Sequence, residues 1–282
     1  LLRYAVAGAR ILLITFLAAI LLKAFVVEAF RIPSPSMENT LQAGDFILVN
    51  KLAYGLRLPK TIPLTNVRLA PWNLALGSSI KRGDVIVFEF PGWLQAVNQD
   101  EPVNFVKRVV GLPGDQVEIR CGQVLVNGEA IDLPPFGKPS LLGDGSRRGG
   151  EKMFPPGSFY TGIDYGPVRV PKAGERIALS RRNAYAWRAL IAREGHAVHL
   201  TPRGSLAVDG ESAFEYTIEH NYYFVLGDNR DNSLDSRYWG FVPEDNIVGE
   251  ALMIYWSWNT AGQAVAHAFA PVRWDRIGTI IK

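Results

Sequence analysis

Three blocks of this 282-residue chain hold side chains able to do nucleophilic or acid–base work. In the first, IPSPSMENTLQAGDFILV (32–49), Ser34 and Ser36 alternate with Pro33 and Pro35. Proline fixes its own φ and confines the preceding residue to extended geometry, so both hydroxyls ride on a stiffened stretch. Such a stretch serves as a rigid linker or as a platform that presents a nucleophile. The second block, FVKRVVGLPGD (105–115), sets Lys107 in an otherwise apolar run. If the run is a strand, Phe105, Lys107 and Val109 share one face while Val106, Arg108 and Val110 share the other. Turned toward a core, a lysine loses its charge more easily and becomes a competent base for a hydroxyl. Turned toward solvent, it guards a sheet edge against aggregation. The third block, GDNRDNSLDSRYWGFVPED (227–245), crowds acidic, amide and basic residues directly after the apolar YYFVL. It lacks the glycine and closing glutamate of an EF-hand loop, and Asp, Asn and Ser also satisfy turns through their own backbone.

Other chemistries lack their residues. His196, His199, His220 and His267 are scattered, with no HExxH pattern, no Gly-x-Ser-x-Gly elbow and no Gly-rich phosphate loop. A histidine triad is not expected. The single Cys121 can form neither an intramolecular disulfide nor a cysteine-based zinc site alone. No metal and no cofactor are expected.

The elements that must position these blocks are mostly strands. Alternating or β-branched runs recur at 45–52, 84–90, 105–112, 116–129, 222–228 and 247–258, separated by Gly-Asp and Asn-Gly pairs that supply turn geometry. Asn127-Gly128 is the sharpest hairpin signal, and 184–194 is the best amphipathic helix. The pattern predicts an antiparallel, mainly β protein and not a βαβ array. Residues 131–175 hold nine Gly and seven Pro, which reads as loop-rich and poor in core material. The expected organisation is an anchor over 1–30, a catalytic β lobe from 31–115 and 221–282, and an inserted Gly/Pro-rich β lobe over 116–220.

The anchor expectation comes from the amino end. Residues 11–22, ILLITFLAAILL, are uncharged, and with Arg10 and Lys23 snorkelling toward opposite interfaces 4–27 is long enough to cross a bilayer. A cleaved secretory signal would need a small-x-small site just after Leu22, where Lys23 and the bulky FVVEAFRIP stand instead. Arg3 and Arg10 precede the span, which predicts a cytoplasmic start and residues 31–282 on the far side. The chain begins on Leu1, which leaves room for a preceding segment or an earlier span. Hydrophobic residues at 48% with 20% charged exclude wholesale disorder. The net charge of +3 gives no basic footprint for nucleic acid, because two of the surplus charges fall within residues 1–30.

Taken in order, Pro33-Ser34-Pro35-Ser36-Met37, Gly44-Asp45-Phe46-Ile47-Leu48-Val49, Arg82-Gly83-Asp84-Val85, 107–115 (KRVVGLPGD) and 227–233 (GDNRDNS) resemble the signature boxes of bacterial type I signal peptidases, or leader peptidases. The resemblance covers roughly 24–130 and 220–258. It implies a Ser/Lys endopeptidase that removes signal peptides from exported preproteins. In it, Ser36 is the nucleophile, Lys107 is the general base, and the Ser36 backbone N–H with the Ser34 hydroxyl forms the oxyanion hole. Ser233 is to hydrogen-bond the lysine amine. Asp235 and Arg237 form a bracing ion pair, and Gly227, Asp228 and Asn229 shape the floor. Pro35 stands where family members usually carry a smaller residue, stiffening the loop.

The resemblance further implies that an extended substrate pairs with the edge at 103–106, including Asn104, Phe105 and Val106. Two shallow apolar pockets are to be lined by Phe30, Ile32, Met37, Leu41, Phe105 and Val106. It implies signal peptides and the lipid bilayer as partners, a position beside the export translocon, and the bacterial cytoplasmic (inner) membrane with an extracytoplasmic catalytic domain. Trp72, Trp93, Tyr255, Trp256 and Trp258 serve either ordinary burial or headgroup docking. Three alternatives have weaker support. A penicillin-recognising acyltransferase needs Ser-x-x-Lys, and position 39 is Asn. A self-cleaving repressor needs a DNA-binding module where the apolar segment stands. A catalytically dead adaptor would keep the tether without the reaction.

Overall fold

A computed structural model describes residues 2–57, 73–74, 78–92, 103–132, 134, 137–138, 153–201, 204–259 and 271–282. Among the described residues the protein is mainly β, with few helices, and it divides into two compact units.

The first unit gathers Leu1–Pro33, Ala43–Ile80 and Val248–Lys282. It opens with the helix Leu2–Phe25, whose Val6–Phe25 portion is long and apolar enough to cross a membrane. Ile11, Leu12, Leu13, Ile14, Phe16 and Leu17 all stand exposed on it, as a helix needing an apolar surround would have them. Beyond it, strand Val27–Arg31 pairs antiparallel with Asp45–Asn50, which pairs in turn with Ile247–Ser257. Asp45–Asn50 alternates strictly, with Asp45, Ile47 and Val49 inward. The inward Asp45 is enclosed, and it accepts from the Ser257 hydroxyl at 2.7 Å, from Arg273 at 3.1 Å and from Arg276 at 2.6 Å. Arg273 precedes and Arg276 ends the short 3-10 turn Trp274–Arg276, so a buried charge ties the carboxyl-terminal segment to its strand.

The second unit comprises Ser34–Gln42 and Lys81–Ile247. Its first sheet runs Val85–Glu89, Asn104–Gly111, Tyr222–Leu226 and Val242–Pro243, each antiparallel to the next. A second sheet runs Tyr165–Arg169, Gln116–Arg120, Gln123–Val126 and Glu129–Ala130. Its last hairpin closes on Asn127 and Gly128 with φ of 55° and 86°, the positive pair a two-residue turn demands. The expected helix forms at Ala184–Arg193. Val110, Val117, Ile119, Ile191, Leu206, Tyr222 and Phe224 share one core.

One expectation is corrected here. The Gly/Pro-rich stretch is not poor in core material: Phe154, Tyr165, Val168 and Val170 from it are buried in that same core. Within it Gly166 and Pro167 lie in the strand Tyr165–Arg169. Gly166, at φ 85°, lies so close to Val117 that a Cβ would sit 2.7 Å from the Val117 carbonyl oxygen, and the ladder shifts register there.

Candidate active site

The two serines fall where the prolines put them. Ser34 is extended, at φ −128° and ψ 157°, as a residue before proline must be. Pro35 then opens the single 3-10 turn Pro35–Met37, which carries Ser36. Lys107 lies mid-strand in Asn104–Gly111, opposite Ile86. Both are buried, Ser36 at 7% and Lys107 at 4% exposure, so the solvated-edge reading of Lys107 does not hold. The Lys107 Nζ stands 2.7 Å from the Ser36 Oγ. It also donates to the Val106 carbonyl at 3.0 Å and lies 5.5 Å from the centre of the Phe105 ring. The Ser34 Oγ is 3.4 Å from the Ser36 Oγ.

The floor comes from the turn after Tyr222–Leu226. A Cβ on Gly227 would meet the Ser233 Oγ at 2.1 Å and the Ser36 carbonyl oxygen at 2.6 Å, so only glycine fits. The Asn229 N–H donates to that same Ser36 carbonyl at 3.0 Å. Asp228 and Asp235 are enclosed, each gripped by an arginine fork. Arg108 reaches Asp228 through Nε at 2.8 Å and Nη2 at 2.7 Å, and the Thr40 hydroxyl adds a 2.6 Å bond. Arg237 reaches Asp235 through Nε and Nη2, both at 2.9 Å, and also donates to the carbonyls of Gly162 and Arg230. Burial alone would raise the Asp235 pKa, but the Arg237 guanidinium and the hydrogen bonds around the carboxyl outweigh it and hold it below the ordinary carboxylate value. Arg230 is pulled down to about 10 by burial and by the neighbouring Arg237 charge. Asp228 and Asp235, two of the acidic residues of this block, are therefore spent on arginines.

Ser233 departs from what the resemblance implies. Its buried hydroxyl lies beside the Asp235 carboxyl, whose charged form it favours, and not on the Lys107 amine. The reason is its direction: the oxygen is folded over Gly227, into the space a side chain there would take.

Residues 5–256 match the family described as "Signal peptidase, peptidase S26". The chain belongs to this family. Signal peptidase I of Pseudomonas aeruginosa is 35% identical over 256 residues, covering 85% of this chain and 68% of the relative. Signal peptidase I of Aquifex aeolicus is 32% identical over 259 residues, covering 87% and 82% respectively. This S26 peptidase is accordingly a hydrolase of the serine peptidase class.

Of the expected pocket residues, Met37 ends the turn that carries Ser36 and Leu41 follows it, both buried in the second unit, and the Asp228 N–H donates to the Met37 sulfur at 3.4 Å. Phe105 stacks on Phe90 at 4.8 Å, Val106 is half-buried and Asn104 is exposed. Ile32 is buried and Phe30 half-buried, both in the first unit. There too, Tyr255 is exposed and Trp256 half-buried, whereas Trp72, Trp93 and His267 lie outside the described residues. Reading the sequence missed Arg108, Thr40 and Glu38. Arg108 carried a signal: a second cation beside Lys107 in an apolar strand needs a buried counter-charge, and Asp228 is that charge.

Proposed function

We propose that this S26 peptidase is a membrane-anchored endopeptidase that removes amino-terminal signal peptides from exported preproteins, with Ser36 as nucleophile and Lys107 as general base. The observation that carries it is the 2.7 Å approach of a buried amine to a buried hydroxyl. A serine hydroxyl is a poor nucleophile until a base takes its proton. An ammonium group cannot take it, and enclosure among Phe105 and its neighbours disfavours the charged form. The neutral Lys107 amine accepts the Ser36 proton as the oxygen attacks the scissile carbonyl. It returns that proton to the leaving amine, then takes one from the water that hydrolyses the acyl-enzyme. The Ser36 backbone N–H and the Ser34 hydroxyl are the proposed donors to the oxyanion, each worth a few kcal/mol in such sites. Gly227, Asp228, Asn229, Ser233, Asp235 and Arg237 hold the floor on which Ser36 rests.

Substrate recognition follows from the strand that carries the base. Pairing with Tyr222–Leu226 starts at Arg108, while Val85–Glu89 pairs along the other side from Asn104 onward. Among the described residues, 104–106 thus have a strand neighbour on one side only, an edge suited to an extended peptide. Met37, Leu41, Phe105 and Val106 are proposed to wall pockets that accept small side chains. Ser36 follows the helix end at Phe25 by eleven residues, at most about 40 Å of extended chain. Spanning the bacterial cytoplasmic membrane, with the catalytic part outside it and beside the translocon, the helix would confine the site to the plane where signal peptides lie, raising their effective concentration. Residues 116–220 are read as an insertion between the two halves of the catalytic lobe.

The test incubates a model preprotein with wild type and with Ser36→Ala, followed by amino-terminal sequencing of the product. Cleavage after small residues by the wild type alone is expected. Equal processing by both would end the assignment.

A further inference from the structure

Beyond the residues already assigned, one side chain from the Gly/Pro-rich stretch reaches the turn that presents Ser36. Lys138 joins the floor through its backbone: its N–H donates to the Asp228 carbonyl at 2.8 Å, and its carbonyl accepts from the Arg230 N–H at 3.3 Å, forming a parallel bridge with Asn229. Its side chain then crosses to the nucleophile segment, where Nζ lies 2.9 Å from the Glu38 Oε2. The same oxygen accepts from the Asn229 Nδ2 at 2.9 Å, and Asn229 Nδ2 also donates to the Pro35 carbonyl at 3.2 Å. With the Asn229 N–H on the Ser36 carbonyl, one asparagine therefore binds both residues that begin the turn, and Glu38 binds that asparagine. The Glu38 N–H donates back to the Pro35 carbonyl at 3.0 Å, closing the turn on itself.

We propose that Lys138, acting through Glu38 and Asn229, is a positioning residue that holds the 3-10 turn so that the Ser36 hydroxyl faces the Lys107 amine. The proposal rests on Ser36 being the nucleophile. A turn of three residues has too few internal bonds to keep its own place. Here Glu38 sits two residues past Ser36, and among the described residues Lys138 is the cation that pairs with it. Asn229 alone could rotate its amide. The ammonium on Glu38 fixes the carboxylate, which fixes the amide, which fixes the carbonyls of Pro35 and Ser36. None of these atoms lies on the strand edge proposed for the substrate, so the effect belongs on the chemical step and not on binding. Small displacements of a nucleophile are costly in rate even when the fold is intact.

The pair is partly exposed, at 43% and 39%, so it contributes little to global stability. That separates positioning from folding. Lys138→Met keeps the stem and the backbone strap and removes only the charge. In steady-state cleavage of a model preprotein it is expected to lower kcat by about three- to tenfold with KM within about twofold of wild type. The thermal midpoint should move by no more than about 2 °C. Lys138→Arg should restore most of kcat. A wild-type kcat in Lys138→Met, or a loss of kcat matched by a loss of thermal stability and not rescued by Lys138→Arg, overturns the proposal. Ser36→Ala run alongside keeps the two readings apart. If Ser36→Ala still cleaves, the nucleophile assignment has failed; if it is dead while Lys138→Met matches wild type, only the positioning role has failed.

Discussion

Asp45 in the first unit and Asp235 in the second are both wholly enclosed, and both are held by arginines, yet they are built differently. Asp235 is gripped by Arg237 two residues along, itself as buried as its partner, with side-chain exposures of 0% and 1%. Asp45 is gripped by Arg273 and Arg276, 228 and 231 residues away, whose side chains stay 18% and 14% exposed. The first is a local brace in the polar block beside the turn that carries Ser36. The second is a long-range clasp with water within reach of its cations. Removing one partner should therefore expose different costs, because a fully enclosed unpaired cation has no route back to solvent.

Asp235→Asn is the strongest way to press that difference. It strands Arg237 and is expected to cost about 3–5 kcal/mol, read as a lowered midpoint in urea unfolding. The same carboxylate sets a pH limit. Its pKa is held below the ordinary 3.8, so its contribution is present above that value and is lost as pH falls through the folded-state pKa. Asp45→Asn should cost less, about 1–3 kcal/mol, because Arg273 and Arg276 can rehydrate. Equal losses for the two variants would mean that partner exposure is not what separates the sites.

The smallest effect lies on the surface. His196 bonds the Asp209 carboxylate at 2.6 Å and that of Glu219 at 3.0 Å, and these bonds raise its pKa above the ordinary 6.5. A raised folded-state value means stabilisation that is complete below 6.5 and fades as pH rises through the folded value. The gap in thermal midpoint between wild type and His196→Asn should thus be widest in mild acid and close above neutrality. A gap independent of pH would show that the imidazolium contributes nothing.

The same contrast governs what could be read from the chain. Asp235 and Arg237 stand two residues apart in one polar block after an apolar strand, and the family resemblance implied their pairing there. The Asn127-Gly128 turn and the helix at Ala184–Arg193 were visible because short-range geometry dictates both. The clasp on Asp45 was not, since Gly44-Asp45 looks like any turn and nothing local marks arginines at the far end of the chain. Within 131–175 composition hid the strand Tyr165–Arg169, where Gly166 and Pro167 sit at a register shift, and the core residues around it. The direction of the Ser233 hydroxyl was beyond reach as well, being set by the empty space over Gly227.

Whether the amine at position 107 takes the proton from Ser36 can be measured directly as the pH dependence of single-turnover preprotein cleavage by wild type, Lys107→Ala and Lys107→Arg. The wild-type rate should climb toward alkaline pH and level off, while both variants stay inactive throughout, since arginine keeps its proton across that range. Sustained cleavage by Lys107→Arg, or a rising limb that survives Lys107→Ala, would contradict the assignment of Lys107 as the base.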